Sequence, residues 1–200
     1  MRELLPLVAT LTAIAATAGL CLALVYALTE GPIAEAELEQ MRRAIRAVLP
    51  DFDNSPDEAA NWIESGDYRF FLGRDAAGEL VGIAFSSASR EGYGGTIEVM
   101  IGIFPDASIH RIEILRHLET PGLGSKIEAP DFRDQFAGSS DENRTYEVSK
   151  DSRGAPDRPP IDAITGATIS SRAVSEAVRN GLEHFRAHRD EIAAGNGGGR

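Results

Sequence analysis

The chain has 200 residues, with 31 acidic and 20 basic side chains and a formal net charge of −11. That length predicts one folded domain with some additional chain, and an acidic domain repels phosphate backbones, which argues against nucleic-acid binding. The single cysteine, Cys21, lies in a long apolar run, so the rest of the chain has no thiol for a disulfide, a thiolate metal site or an iron–sulfur cluster. Redox chemistry would therefore depend on an organic cofactor.

The first predicted element is a membrane anchor over residues 4–29, preceded by a short tail at residues 1–3. The 25 residues that begin at Leu4 carry no charge, and a helix of that length covers the roughly 30 Å hydrocarbon core. Signal-peptide apolar regions run to only about 7–15 residues, and the end of this run is a poor cleavage site. We therefore predict a retained single span, with a cleaved signal peptide as the alternative. Arginines on the two flanks give no clear orientation, but a short tail and a large C-terminal part fit a domain outside the cytoplasm.

A helical connector and packing segment is predicted over residues 30–66. Between Ala34 and Leu49 the apolar side chains recur at helical spacing, and Pro50 ends the pattern. This apolar stripe consists of Leu38, Met41, Ile45 and Val48. Residues 51–66 are acidic and rich in turn formers, with the lone Trp62 packed against the domain.

The next region, residues 67–190, is predicted to be one α+β domain with an antiparallel sheet flanked by helices. Runs rich in apolar residues, separated by turn residues, predict one hairpin from strands at 68–73 and 79–87, and a second from strands at 95–104 and 108–117. A short helix at 131–138 and a short strand at 146–148 follow. The last helix is predicted to begin at Ser171, with one apolar face. That face consists of Val174, Ala177, Val178, Leu182 and Phe185. Residues 191–200 are predicted to be a flexible tail.

The stretch DAITGATISSRA, residues 162–173, combines a carboxylate, small residues and hydroxyls just before this helix. Its threonines and glycine are weak helix formers, which predicts a loop that leads into the helix. Unpaired N–H groups at a helix start can bind an anion. The alternative is a helix start with a serine N-cap, and loop chemistry alone favours that alternative.

The stretch HLETPGLG, residues 117–124, is the second unusual feature. Pro121-Gly122 suits a type II turn, and Gly124 can take a positive φ. Glu119 and Thr120 would then place a carboxylate and a hydroxyl on a rigid turn, where they could hydrogen-bond a heteroaromatic ring. The alternative is an ordinary tight turn after an edge strand.

Other motifs carry less information. Gly124-Ser125-Lys126 does not match a phosphate-binding loop, and residues 92–95 predict a loop between the two hairpins. His184 and His188 have a spacing that can bind a metal, but no third ligand accompanies them, which favours ordinary boundary histidines and no metal site. No hydrolase elbow of the G-x-S-x-G type occurs, and no catalytic cluster is visible.

Together, DAITGATIS (162–170) and HLETPGLGSKIE (117–128) resemble two signatures of FMN-binding domains that carry flavin on a threonine. The resemblance is closest to the G subunit of the Rnf electron-transport complex, and the C subunit of the Na⁺-translocating NADH:quinone reductase is a relative. It implies that Thr168 bears FMN through a phosphoester and that a separate flavin transferase reads the surrounding motif. The matching motif residues are Asp162, Thr165, Gly166, Ala167 and Ser170. Glu119, Thr120 and Leu123 match the turn expected near the isoalloxazine ring.

The resemblance implies a single-pass protein of the inner membrane with its FMN-binding domain on the extracytoplasmic side. Such a protein would relay electrons, as a redox carrier rather than a stand-alone enzyme, within a complex that couples ferredoxin and NAD electron transfer to ion translocation. Its partners would be the other subunits and the flavin transferase. One alternative is a membrane-anchored extracytoplasmic binding or sensor domain without covalent flavin, which would tolerate Thr168→Ala. A stand-alone FMN reductase or transferase would need a base or metal cluster of its own.

Overall fold

The computed structural model describes residues 4–58, 61–66, 68–140, 143–150 and 159–193. The chain divides into two compact units, residues 1–41 and residues 42–200. The predicted tail at residues 1–3 and the end of the predicted tail at residues 194–200 lie outside the described residues.

A single helix, α1, runs from Leu4 to Val48 without interruption, and its part up to Met41 forms the described part of the first unit. The anchor predicted at residues 4–29 and the helical pattern between Ala34 and Leu49 form one continuous helix, because Gly31-Pro32 lies inside α1. A proline removes one N–H donor and crowds the preceding turn, but the residues on both sides are good helix formers, so the helix continues. By length and composition α1 can cross a membrane, and it is the only such helix in the described part of the chain.

The second unit begins with the end of α1, where Ala44, Ile45 and Val48 are buried, as is Leu49 directly after the helix. Of the predicted apolar stripe, Ile45 and Val48 pack in this unit, whereas Leu38 is 45% exposed. The predicted boundary at residue 66 is also wrong, because Trp62–Ser65 forms the first strand of the sheet, β1. Residues 42–66 therefore belong to the globular unit rather than to a connector.

The sheet is a five-stranded antiparallel meander in the order β1-β2-β3-β4-β5, which confirms the predicted α+β class. The remaining strands are β2 (Tyr68–Arg74), β3 (Leu80–Gly92), β4 (Gly95–Ile103) and β5 (Ile109–Arg116). Both predicted hairpins are present, but β3 extends five residues beyond its predicted end at residue 87. Gly92 pairs with Gly95, so Tyr93-Gly94 is a tight turn that joins the two hairpins, not a loop that separates them.

Two helices and a 3₁₀ turn contact this sheet, and a second, small sheet contacts one of these helices and the turn. A short helix, α2 (Pro130–Arg133), continues into a 3₁₀ turn at Asp134–Phe136, close to the helix predicted at 131–138. Strands β6 (Val148–Ser149) and β7 (Ile161–Asp162) pair in parallel. The last long helix, α3 (Thr168–Ala187), packs on β3 and β4.

The predicted apolar face of α3 is confirmed, since all five of its residues are at most 1% exposed. A short helix, α4 (Arg189–Ala193), follows α3, and its Ile192 is 1% exposed. The predicted flexible tail therefore does not begin at residue 191, because Ile192 packs into the core. His184 lies at the core boundary, where its Nε2 is 3.0 Å from the Ser65 carbonyl oxygen and its ring stacks on Tyr68.

The β2–β3 and β4–β5 turns of the meander differ at one position, which gives a stability prediction. In the β2–β3 turn Gly78 has a φ of 84°, whereas in the β4–β5 turn Ala107 has a φ of 71°. An L-residue in this region costs about 1–2 kcal/mol, so Ala107→Gly is expected to raise the free energy of unfolding by about 0.5–1 kcal/mol. Thermal unfolding followed by circular dichroism measures the change. Ala77→Gly is the control, because Ala77 does not have a positive φ, and it should lower the unfolding temperature.

Candidate functional site: a cavity at the start of α3

A cavity of about 680 Å³ opens where the β3–β4 turn, the loop after β5 and the start of α3 meet. Its volume lies within the roughly 300–1,000 Å³ of ligand and cofactor pockets. The lining residues are Tyr93, Glu119, Thr120, Leu123, Gly124, Lys150 and residues 163–170.

Eight of the nine residues predicted for the site line this cavity. They are Glu119, Thr120, Leu123, Thr165, Gly166, Ala167, Thr168 and Ser170. The ninth, Asp162, lies in β7, where its backbone N–H donates to Gln135 Oε1 at 2.7 Å, and it is not part of the lining. The two motifs, which are about 40 residues apart in sequence, therefore meet in one place.

The start of α3 has no side-chain cap. The helix begins at Thr168 rather than Ser171, and its N-cap residue is Ala167, so the alternative of a serine N-cap is wrong. The Ser171 hydroxyl is used elsewhere: it accepts the Ile164 N–H at 3.0 Å and donates to the Ala167 carbonyl at 3.0 Å. The first backbone N–H groups of a helix have no acceptor within it. Without a capping side chain, those of Thr168–Ser170 are available to an anion.

The hydroxyls in this segment fall into two groups. Ser170 and Ser171 are 1% and 0% exposed, and both hydroxyls are hydrogen-bonded. Thr168 is half-buried and lines the cavity, and its hydroxyl makes no hydrogen bond within the described part of the chain. Thr165 is exposed and likewise unbonded among the described residues. Only the threonine hydroxyls are therefore accessible to a reagent.

The loop after β5 differs from its prediction in two respects. Gly122 has a φ of 76°, as a type II turn requires, but Gly124 does not have a positive φ. Instead, Gly124 gives room to Glu119, since a Cβ there would lie 2.5 Å from Glu119 Oε2. The Glu119 carboxylate is buried, and both of its oxygens accept hydrogen bonds within the protein. The carboxylate is therefore not free to hydrogen-bond a ring, contrary to the prediction. Thr120 is exposed and Leu123 is 48% exposed, so these two side chains can contact a ligand.

Six lining residues were missing from the predicted site: Tyr93, Gly124, Lys150, Ala163, Ile164 and Ile169. Tyr93 is an aromatic residue in a glycine-rich turn and is 72% exposed, a combination that could have identified it. Ile169 lies inside the motif and is 50% exposed. Lys150 is one of only two lysines in the chain, but nothing in its neighbourhood indicates that it lines the cavity.

The lining suits a ligand with a flat apolar part and an anionic end. Tyr93, Leu123 and Ile169 provide exposed apolar surface, of the kind that contacts a planar ring. The uncapped start of α3 provides backbone donors for a phosphate. Among the described residues, Lys150 is the one basic side chain in the lining.

Comparisons with known proteins agree with this geometry. Residues 92–183 match the model of the FMN-binding domain family. The chain is 33% identical to the G subunit of the ion-translocating oxidoreductase complex of Aliivibrio fischeri, over 93% of this chain and 91% of that protein. It is 30% identical to the protein of the same name from Methanosarcina acetivorans, over 93% and 96% of the two chains.

Solved structures show the same fold. The crystal structure of Shewanella oneidensis NqrC has a TM-score of 0.53 at 23% identity and covers 74% of this chain and 73% of its own. The C subunit of the Na⁺-translocating NADH-quinone reductase from Parabacteroides distasonis has a TM-score of 0.56 at 20% identity, with coverage of 76% and 90%. The extent of the sequence match to the two oxidoreductase proteins identifies this chain as a member of the G-subunit family of ion-translocating oxidoreductase complexes, with an FMN-binding domain as its globular part.

Proposed function

We propose that this chain carries FMN covalently, as a phosphoester on Thr168, and relays electrons within an Rnf-type ion-translocating complex. The observation that carries the proposal is the accessible Thr168 hydroxyl at the uncapped start of α3, which makes no hydrogen bond to a described residue, beside two serines whose hydroxyls are buried and bonded. A phosphate on Thr168 would lie where the helix offers backbone N–H donors. The names of the relatives, as subunits of an ion-translocating oxidoreductase complex, support the assignment to such a complex.

Attachment requires a second protein. A threonine hydroxyl is too weak an acid to attack phosphorus unaided at neutral pH, and it needs a base or a metal. Among the described residues no group of three potential metal ligands occurs. We therefore propose that a flavin transferase supplies the base: the Thr168 oxygen forms the new P–O bond, its proton passes to that base, and the group previously joined to the flavin phosphate leaves with the bonding electrons.

Once FMN is bound, it supplies the electron-transfer chemistry, and the protein supplies binding and orientation. Backbone N–H groups of Thr168–Ser170 would hold the phosphate. Tyr93, Leu123 and Ile169 would contact the ring, and the exposed Thr120 hydroxyl is available to a ring heteroatom. A covalent bond keeps the cofactor in place when its charge, and with it the noncovalent affinity, changes.

The proposed setting is the extracytoplasmic side of the inner membrane. Residues 4–29 of α1 would form the single span, which its length and composition permit, and the acidic FMN-binding domain would follow it. Within the complex, which we propose couples ferredoxin and NAD electron transfer to ion movement, this chain would be a carrier between other subunits.

The proposal is tested by in-gel flavin fluorescence and intact mass after full denaturation. The full-length protein is expressed with and without a flavin transferase. We expect a fluorescent band and a mass increase of one FMN phosphoester only when the transferase is present. Protease protection in oriented membrane vesicles then assigns the side of the domain. A dark band, with the transferase active on a control substrate, would refute covalent attachment and favour a binding or sensor domain without covalent flavin.

A further inference from the structure

Glu119 is the only buried acidic side chain among the described residues, at 5% exposure. Its carboxylate has no cationic partner in the described part of the chain, and it lies in the wall of the cavity. Burying a carboxylate without a cation costs free energy. Packing alone therefore does not explain a glutamate at this position.

The two oxygens of Glu119 join the separate walls of the cavity. Oε1 accepts the Gly94 N–H at 2.9 Å, in the turn that carries Tyr93. Oε2 accepts the Ser170 hydroxyl at 2.6 Å, in the first turn of α3 and two residues after Thr168. Glu119 itself belongs to the loop that leads to Leu123. Three chain segments thus meet at one side chain.

Glycines confine the carboxylate to this arrangement. A Cβ on Gly92 would lie 2.7 Å from Glu119 Oε1, and one on Gly124 would lie 2.5 Å from Oε2. Backbone therefore contacts the carboxylate where a side chain would otherwise stand, and the glutamate has little room to move. A carboxylate beside the first turn of α3 also interacts favourably with the positive end of the helix dipole. It provides this interaction through the Ser170 side chain, which leaves the backbone N–H groups of the first turn uncapped.

We propose that Glu119 is a positioning residue, which acts through Ser170 and Gly94 to fix Thr168 relative to the walls that carry Tyr93 and Leu123. This role rests on the proposed attachment of FMN to Thr168. A phosphoester alone leaves several rotatable bonds between the threonine and the ring, so the orientation of the ring depends on how firmly the walls are held. Electron relay needs a fixed geometry between donor and acceptor, and the carboxylate provides it.

Time-resolved fluorescence anisotropy of the covalently attached flavin, in full-length protein, tests this role. Anisotropy does not depend on the fraction of protein that carries flavin, so variants that are modified poorly remain measurable. In Glu119→Ala we expect an added nanosecond decay and a loss of residual anisotropy relative to the wild type. Glu119→Gln should restore the wild-type decay, because its amide can accept from Gly94 N–H and donate to the Ser170 hydroxyl.

The same α3 helix offers a matched control. The Ser89 hydroxyl donates to Glu176 Oε2 at 2.6 Å, so the chemistry and length equal those of the Ser170–Glu119 bond, but neither residue lines the cavity. Glu176→Ala and Ser89→Ala should leave the flavin decay unchanged even if they lower the unfolding temperature. Should Glu119→Ala fail to fold, Glu119→Asp keeps the charge but is too short to reach both partners, and it should give the same added decay.

Three results would overturn the positioning role. They are a wild-type decay in both Glu119→Ala and Glu119→Asp, an equal loss of anisotropy in Glu176→Ala, or a glutamine variant as mobile as the alanine variant. A wild-type protein without denaturation-resistant flavin would be a different result, because it would refute attachment to Thr168 itself, and the positioning role with it.

Discussion

Thr168→Val is expected to abolish denaturation-resistant flavin fluorescence, while the protein still folds. Valine has nearly the shape of threonine but has no hydroxyl, so it removes the only atom that can form the phosphoester. Thr168 begins α3 and is half-buried, and its hydroxyl makes no hydrogen bond within the described residues, so its loss should change the free energy of unfolding by less than about 0.5 kcal/mol. The measurement is flavin fluorescence per mole of protein in denaturing gels, together with intact mass.

Thr168→Ser is measured beside this variant as the conservative substitution, and Thr96→Val is the control. Serine keeps a hydroxyl at the same place and should accept flavin at a reduced level. Thr96 is an exposed threonine of β4 outside the cavity, so Thr96→Val should carry as much flavin as the wild type. If Thr168→Val retained the full fluorescence and mass increase, another hydroxyl would be the acceptor, and the exposed Thr165 would be examined first.

Gly102→Ala is expected to be among the most destabilising single substitutions in the globular unit. Gly102 lies in β4, where a Cβ would stand 2.0 Å from the Val48 carbonyl oxygen and 2.5 Å from its carbonyl carbon. Both atoms belong to the backbone at the end of α1, so no side chain can move aside. Separating the helix from the strand would also break the 2.7 Å contact between His110 Nδ1 and the Val48 oxygen. We expect a loss of about 3 kcal/mol, which lowers the unfolding temperature by roughly 6–12 °C.

Gly73→Ala is the matched control, because the nearest atom to its added Cβ is Leu49 Cδ1 at 3.0 Å, the end of a flexible side chain. The expected loss is below about 1 kcal/mol. The single tryptophan, Trp62, lies in β1 and stacks with Arg69, so its fluorescence reports thermal unfolding of the sheet. Equal unfolding temperatures for Gly102→Ala and the wild type would contradict the close packing of α1 on β4.

The strands that could be predicted were those with turn-forming residues at both ends. β2 to β5 are rich in apolar residues and are bounded by turn formers, so their pairing could be predicted from local pattern. β1 was missed because its four residues follow an acidic, turn-rich stretch, and only pairing with β2 makes them a strand. The continuity of α1 through Gly31-Pro32 has the opposite cause: a local helix breaker is outweighed by the helix formers around it.

The residues of the site that belong to the two sequence motifs could be predicted, and the others could not. Residues 163–170 and the turn from Glu119 to Gly124 carry recognisable chemistry, and the fold brings them together. Tyr93 reaches the cavity because β3 extends five residues beyond its predicted end and because Gly94 packs against the Leu118 carbonyl, where a Cβ would lie 1.9 Å away. The hydrogen-bond partners of Glu119 could not be predicted from the sequence either, because they lie 25 residues before it and 51 residues after it.

The order of the strands has a consequence for synthesis of the chain. Each strand of the meander pairs with the one made just before it, so the sheet can form progressively as the nascent chain emerges, with short loops to close. α3 comes after all five strands and brings both Thr168 and Ser170 to a cavity whose other walls are then in place. The acceptor hydroxyl and the partner of Glu119 thus arrive in the same helical turn, and a nascent chain offers no modification site until translation has passed the sheet.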